Sequence, residues 1–342
     1  MLDTTPRYSL LGAVRKYSSK LSLGKGKKDI SILKRSVIRI FESDTRHILT
    51  AASLDGKKKN RLLFRNFMSK FQADFSSKDC KMKEPVRFIG AGPGDPELIT
   101  VKGMRFLREA DRVVYAGSLV PETLLRYCRK DVKSFDSASL TLAQTHALLK
   151  EGYEAGERVV RLHTGDPSLY GAIHEQISLL DRDRIAHEVV PGVSAGFAAA
   201  AAMNQELTVP EISQTVIMTR LGGRTPVPEK ENLADLASHR ATMIIYLSVQ
   251  RIEEVVEQLK CHYPPGTPAV VAYRVGWPDQ ELIRGTVGNI AEKVAAAKIE
   301  RQAIILVGEV FRMEDLAGEK IKRSKLYDET FSHQFRDAAK PE

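Results

Sequence analysis

An α/β fold arranged as two α/β domains is predicted by three observations. From Val86 onward, β-branched apolar runs alternate with helical patterns. The runs end in Gly and Pro clusters, and one Pro-bearing stretch divides the series in two. Such alternation is the signature of largely parallel sheets covered by helices. The series opens at residues 86–100, VRFIGAGPGDPELIT. Val86, Phe88 and Ile89 suit a buried strand, and Gly90, Gly92 and Gly94 allow tight backbone turns. Leu98, Val101, Met104, Leu107 and Ala110 then recur every three residues, which predicts an apolar helix stripe.

The next elements follow in the same way. Strands are expected at 112–116, 132–135, 158–163 and 188–190, with helices at 121–129, 142–153, within 167–180 and at 194–203. Pro191 and Gly192 stop the strand at 188–190, and the Ala-rich run after them implies a closely packed helix. Residues 207–213, with Pro210 inside, read as the connector. Strands at 215–219, 242–247, 269–273, 282–286 and 303–307 follow, with helices near 233–237, 252–259 and 290–297. Gly276, Pro278 and Asp279 form a turn between adjacent strands, so the second sheet is expected to be mixed, with a hairpin. The boundaries are therefore a first domain at 85–209, a second at 213–312 and a polar tail at 313–342. No internal repeat is evident.

Charge sets the first 84 residues apart. They hold 20 Lys and Arg against 8 Asp and Glu, whereas the rest of the chain holds 32 against 35. The net +9 thus belongs to a basic leader, residues 1–84, with a short helical pattern near 30–41. Three readings compete for it: an arm for nucleic acid or a membrane surface, a transit peptide, or a segment outside the working enzyme. The last is preferred, because Met82 stands four residues before the first strand, and the leader is then disordered or not native. The apolar run at 193–203 is far short of the roughly 20 residues of a spanning helix, so no membrane partner is expected. Cys80, Cys128 and Cys261 are isolated, which argues against a cysteine metal site and for a reducing cytoplasm.

Chemistry in an open α/β sheet belongs beyond the carboxyl ends of its strands. Five loops there are rich in Gly, Pro, Ser and Thr: 90–96, 116–121, 164–170, 191–195 and 221–228. Singly each is an ordinary turn; five in register imply a shared cleft. The first matches only part of the dinucleotide pattern G-x-G-x-x-G, because Asp95 occupies the third Gly position and a carboxylate sits badly beside a pyrophosphate. Pro93 and Pro96 stiffen the loop into a rigid wall.

The segments GAGPGDPELIT (90–100), AGSLVP (116–121), LHTGDPSLYGAI (162–173), VPGVSA (190–195) and ELTVPEISQTVIMTRLGGRTPVP (206–228) resemble the tetrapyrrole methylases of corrin and sirohaem synthesis. AGSLVP and TRLGGRTPVP are similar to those that methylate C11 of precorrin-4 in cobalamin synthesis. The resemblance covers residues 86–312. It implies two α/β domains with S-adenosylmethionine in the cleft between them, a cytoplasmic homodimer, and no protein-bound metal. By position it implies cofactor contacts at Pro93, Thr164, Gly165, Asp166, Leu169, Ser194, Ala195, Leu247 and the backbone near Val275. Gly276 and Leu247 depart from the family pattern, which often has Ser or Thr and Met there. Asp166 reads equally as a polar partner or as a cap for the helix after Pro167.

The implied reaction moves a methyl group from sulfur to C11 of cobalt-precorrin-4 or precorrin-4, with the wording of TGDPSLYGAI closer to the cobalt branch. Positioning is expected to dominate catalysis. Asp95, Tyr115 and His163 are the weak catalytic candidates; His163 reads first as a strand-end packing residue. Arg220, Arg224 and Arg274 are candidates for the substrate carboxylates, and Tyr115 and Tyr170 either line the macrocycle or belong to the core. The alternatives are uroporphyrinogen-III C-methylation in sirohaem synthesis and, from another class, a nucleotide or nucleic-acid binder using the leader.

Overall fold

The structure, a computed structural model, describes residues 83–223, 225–312, 324–325 and 329–337. The expectations for the leader, for Met82, for Arg224 and for most of the tail lie outside the described residues. Among the described residues no helix is long and apolar enough to cross a membrane.

The first sheet carries strands β1 (Val86–Gly90), β2 (Arg112–Tyr115), β3 (Lys133–Asp136), β4 (Val159–His163) and β5 (His187–Val190) in the order β3-β2-β4-β1-β5. Every pairing is parallel. Helix α1 (Val101–Glu109) joins β1 to β2, α2 (Leu142–Glu154) joins β3 to β4, and α3 (Ile173–Arg182) joins β4 to β5. Thr100 caps α1 by accepting from Gly103 N, and Thr141 with Gln144 forms a capping box on α2. The strands alternate their burial. Ile89, Val113, Val160 and Leu162 pack with Phe106 and Leu107 on one face, while Phe88, Val114 and Val159 pack with Leu149 and Leu180 on the other.

Two expectations for this half are met with a shift in detail. Of the expected stripe, Leu107 and Ala110 are buried and Met104 packs on the same cluster, joined by Gly103 and Phe106, while Val101 is 80% exposed and Leu98 belongs to the preceding 3-10 helix. Three residues advance by about 300° around a helix, so the spacing drifts, and Val101 and the C-cap Ala110, nine apart, face roughly opposite ways. The helix expected at 121–129 is a 3-10 helix, Glu122–Tyr127.

The second sheet holds β6 (Val216–Arg220), β7 (Thr242–Tyr246), β8 (Pro268–Tyr273), β9 (Glu281–Thr286) and β10 (Ala303–Val307) in the order β6-β7-β10-β8-β9. β6 and β7 are parallel, β10 runs antiparallel between β7 and β8, and β8 and β9 form the expected hairpin. Helices α5 (Leu233–Ala237), α6 (Ile252–Lys260) and α7 (Ile290–Ala296) cover one face through Leu233, Val255, Leu259 and Val294. The other face is covered by α4 (Ala195–Ala202), which precedes the connector. Its Ala198, Ala199 and Ala200 pack on Ile244, Tyr246, Ala272 and Leu306. A helix of Ala brings its backbone close to the sheet.

Ala199 is fully buried in that contact. Ala199→Leu is expected to destabilise the protein by about 1–3 kcal/mol through overpacking, read as a fall in Tm. At the amino edge of the first sheet, Asp111 accepts from Arg158 Nε and the Arg158 backbone N, both at 2.9 Å, and pairs with Arg129. The Arg158 hydrogen bonds hold its carboxyl down to about 2. A depressed carboxyl stabilises the fold above its unfolded value and ceases to do so as pH falls through the folded one. Asp111→Asn should therefore flatten the loss of stability between pH 4 and 2 and lower stability at neutral pH by about 1 kcal/mol, measured by denaturant titration across pH.

Candidate functional site

β1 and β4 are neighbours, but the chain leaves β1 toward β2 and leaves β4 toward β5, on opposite sides. Helices α1 and α3 accordingly pack on opposite faces. This is a topological switch point, where open α/β sheets bind ligands at the carboxyl edge. Loops 90–96, 164–170 and 191–195 all leave that edge side by side.

Three glycines let these loops meet. A Cβ on Gly90 would lie 2.5 Å from Gly192 Cα and 2.7 Å from Gly165 O, and one on Gly192 would lie 2.7 Å from Gly90 Cα. Gly92 and Gly165 exchange backbone hydrogen bonds at 2.8 and 3.3 Å, with φ of 77° and 60°. Asp166 then locks the arrangement, because its Oδ2 accepts from Gly192 N at 2.8 Å and its Oδ1 accepts from Ser168 N at 2.8 Å and from Ser168 Oγ. Burial pushes its carboxyl up, but the bonds from Ser168 and Gly192 outweigh this and hold it low. The cap expected of Asp166 is corrected: no helix begins at Pro167, and α3 starts at Ile173. Beyond Gly165, the nearest atoms to a Cβ placed there are Ala195 N and Ser194 Cα at 3.8 Å. Thr164, Gly165, Asp166, Ser194 and Ala195 are thus brought together at the carboxyl edge of β4, β1 and β5.

The second half supplies the facing wall from the carboxyl edge of β6, β7 and β8. Trp277 Nε1 donates to Pro93 O at 3.0 Å, and a Cβ on Gly276 would lie 2.8 Å from Asp95 N. Gln302 Nε2 donates to Ser118 O at 2.6 Å, which ties the 116–121 loop to β10. Ser194 Oγ and Tyr246 Oη are 2.8 Å apart. Leu247 follows Tyr246 with φ 54° and is 73% exposed, an apolar side chain held in a strained backbone at the rim. Val275 packs its side chain in the core beneath, and Leu169 packs against the same cluster. A cavity of about 640 Å³ opens between Gly94, Pro96, Pro121, Arg126, Arg274 and Trp277.

The remaining candidates have definite places. Asp95 accepts from Glu97 N at 2.8 Å as the cap of a short 3-10 helix. Tyr115 is buried in the core under the 116–121 loop. His163 is buried against Phe88, ring centroids 5.8 Å apart. Burial, with the Arg161 cation adding to it, pushes His163 down to about 3, so its imidazole stays neutral at ordinary pH. Arg220 donates from Nη1 to Thr225 O and from Nη2 to Pro226 O, both at 2.9 Å, and so shapes the 221–228 loop. Arg274 lies over the Trp277 ring at 4.2 Å, pairs with Asp279 at 2.8 Å and reaches Gln302 at 3.0 Å. The charges of Arg220 and Arg274 therefore serve first to fix the walls.

Sequence reasoning missed Trp277, Tyr246, Gln302 and the buried Arg161. Arg161 donates to Ser137 Oγ at 2.8 Å and to Gln176 at 3.1 Å beneath the 116–121 loop, whose Gly117 N donates to Asp136 at 2.9 Å. Trp277, as the single Trp of the chain inside a Gly and Pro turn, carried a usable signal. The partners of the other three lie 24 to 184 residues away, or 15 for the nearer Gln176, and no local pattern announces them.

Residues 85–291 match the family described as tetrapyrrole (corrin/porphyrin) methylases. The cobalt-precorrin-4 C(11)-methyltransferase of Methanocaldococcus jannaschii is 49% identical over 256 residues, 75% of this chain and 97% of that one. The precorrin-4 C(11)-methyltransferase of Pseudomonas aeruginosa is 50% identical over 251 residues, 73% and 98% of the two chains. Among solved structures, a cobalt precorrin-4 methyltransferase of cobalamin biosynthesis superposes with a TM-score of 0.64 at 44% identity, covering 66% of this chain and 95% of that one. The uroporphyrin-III C-methyltransferase of Thermus thermophilus, in complex with S-adenyl homocysteine, gives 0.56 at 29% identity, covering 67% and 94%.

If Asp166 locks the switch-point loops, Asp166→Ala removes the acceptor of the part-buried Gly192 amide and of the exposed Ser168 amide, at a cost of about 1 kcal/mol. The expected outcome is a lower Tm and faster hydrogen exchange at Gly192 and Ser168, with Asp166→Asn intermediate because it keeps one acceptor oxygen.

Proposed function

Since the chain belongs to the tetrapyrrole (corrin/porphyrin) methylases, we propose that it is an S-adenosylmethionine-dependent methyltransferase acting on C11 of cobalt-precorrin-4 or precorrin-4 in cobalamin biosynthesis. The observation that carries this reading is identity of 49% and 50% to the two C(11)-methyltransferases across 97% and 98% of their lengths. The geometry agrees. S-adenosylmethionine carries a sulfonium and an ammonium but no phosphate, so a hollow of bent backbone needs no basic cradle, and the loops around Gly90, Gly165 and Gly192 offer such a hollow. Uroporphyrinogen-III methylation is less favoured, because the Thermus enzyme is only 29% identical. The nucleic-acid reading rests on the leader alone.

We read residues 85–209 and 213–312 as two domains whose facing edges hold the donor. Pro93, Thr164, Gly165, Asp166, Leu169, Ser194, Ala195, Leu247 and the backbone near Val275 contact it. When bound, the donor supplies an electrophilic methyl on sulfur. The chain's own part is to hold the macrocycle carbon about 3–3.5 Å from that methyl, in line, as an effective-concentration effect. A buried neutral His163 and a Tyr115 under the loop are poor proton acceptors, consistent with catalysis by positioning. Tyr170, 42% exposed beside Tyr246, offers an aromatic face for the flat ring. Arg220, Arg224 and Arg274 are its candidate carboxylate partners. A cytoplasmic homodimer without a bound metal is the assembly that this reading takes.

The test is titration with S-adenosylhomocysteine, then incubation with precorrin-4 and cobalt-precorrin-4, reading the mass and position of the added methyl. Micromolar binding and a single methyl at C11 are expected, with the more reactive macrocycle identifying the natural form. Absence of binding, or a methyl at C2 or C7, would overturn the proposal.

A further inference from the structure

The first turn of α4 has an unusual cap. Ser194 occupies the N-cap position, where a Ser hydroxyl ordinarily accepts from an amide two or three residues on. Its side chain makes no such bond. Instead Ser194 Oγ pairs with Tyr246 Oη at 2.8 Å, and Tyr246 Oη also accepts from Gly196 N. Tyr246 ends β7 of the other sheet, so a hydroxyl from the second half caps the helix that opens the cofactor turn. The fit requires glycine: a Cβ on Gly196 would lie 2.5 Å from that oxygen.

Tyr246 is itself held from several sides. Ser248 Oγ donates to Tyr246 O at 2.6 Å and accepts from Leu221 N at 2.8 Å. The Tyr170 ring lies against the Tyr246 ring at 5.4 Å, and the body of the residue is buried against Ala198 to Ala200 and their neighbours. Leu247 takes up the resulting strain at φ 54°. With Gly196 N donating to Tyr246 Oη, the phenol hydrogen is available for Ser194 Oγ. The Ser194 hydrogen is then left to point elsewhere, and Ser194 Cα stands 3.8 Å from the place a Cβ on Gly165 would take, beside the Thr164 to Asp166 turn.

We propose that Tyr246 is a positioning residue for the methyl donor: it accepts from Gly196 N, donates to Ser194 Oγ, and thereby presents the Ser194 hydroxyl as a hydrogen-bond donor to the bound molecule. This rests on the S-adenosylmethionine reading given above. No covalent step is involved. Because the cap comes from the second sheet, the donor turn is correctly formed only when the two halves are seated on one another.

The experiment uses the full chain with Tyr246→Phe, Ser194→Ala and the double variant. Titration with S-adenosylhomocysteine should show each single variant weakened about five- to tenfold, as for one lost hydrogen bond. The double variant should be no weaker than the worse single one, because the two hydroxyls act as a unit. KM for S-adenosylmethionine should rise by a similar factor, while kcat at saturating donor and the KM for the tetrapyrrole change less than twofold. A merely structural role would lower Tm and move all of these together. Hydrogen exchange of the Gly196 amide, measured without ligand, should quicken in Tyr246→Phe and supplies a readout independent of the donor. Wild-type protein that fails to bind S-adenosylhomocysteine would overturn the activity. Wild-type binding with Tyr246→Phe unchanged within twofold, additive single variants, or unaltered exchange at Gly196 would overturn the role of Tyr246 while leaving the activity in place.

Discussion

The mutual approach of three backbones, at Gly90, Gly165 and Gly192, is the constraint on which the site depends. With 2.2–2.9 Å between a Cβ placed on Gly90 or Gly192 and the backbone of the neighbouring loops, no side chain fits at either position. The loops leaving β1, β4 and β5 therefore touch through main chain. Main-chain groups brought together so closely must find partners. Gly92 and Gly165 satisfy each other, and Asp166 satisfies Gly192 and Ser168. The carboxylate is thus needed by the loops themselves, which accounts for an acidic residue among these Gly and Pro turns. What remains is a rigid concave surface whose lining atoms belong to backbone and small side chains.

A hollow of that kind is half a site, and the second sheet closes it through a few long-range contacts. Trp277 reaches Pro93, Gln302 reaches Ser118, and Tyr246 reaches Ser194, so each wall segment is tied to a loop of the first sheet. Helix α4 makes this geometry durable. It leaves the first sheet at Ser194 and buries its Ala face on the second, so the hollow cannot open without exposing that contact. Three of the ten non-Gly residues with positive φ among the described residues stand at this edge: Tyr170, Leu247 and Arg274, at 56°, 54° and 43°. Such residues cost of order 1–3 kcal/mol each and persist where surrounding contacts over-determine them.

Much of this was legible in the sequence because it is local. The alternation of strand and helix, the five Gly and Pro loops, the hairpin at Gly276 to Asp279 and the Ala-rich helix each depend on neighbouring residues. The loops could be assigned to one edge because parallel strands place all their carboxyl ends together. The rest depended on distant partners. Nothing near Val101 tells that its side faces solvent, since the three-residue spacing drifts around the helix. Nothing near Ala199 reveals that its partner is Ile244 across the connector and not the sheet that precedes it. Asp166 looked like a helix cap because Asp before Pro commonly is one; its real partner, Gly192, is 26 residues away. The Ser194 to Tyr246 pair spans 52 residues and carries no motif.

The two edges of the first sheet differ in how they use charge. At the amino edge, Arg112 pairs with Glu157, Arg158 with Asp111, and Lys133 with Glu157, a network of ions reaching into solvent. At the carboxyl edge of the first sheet Asp166 binds amides, and in the second sheet the charged groups after β6 and β8 are likewise engaged: Arg220 binds carbonyls of its own loop and Arg274 binds Asp279. Free charge beside a sulfonium would either repel it or pair with it tightly, and neither suits a donor that must be released after losing its methyl. Buried titratable groups at this edge are also displaced from neutrality, His163 down to about 3 and Tyr246 upward, chiefly because burial disfavours their charged forms. Both side chains therefore stay neutral across the physiological range. The loops around them have a fixed shape and a fixed set of hydrogen-bond directions, which is what the in-line displacement proposed above requires.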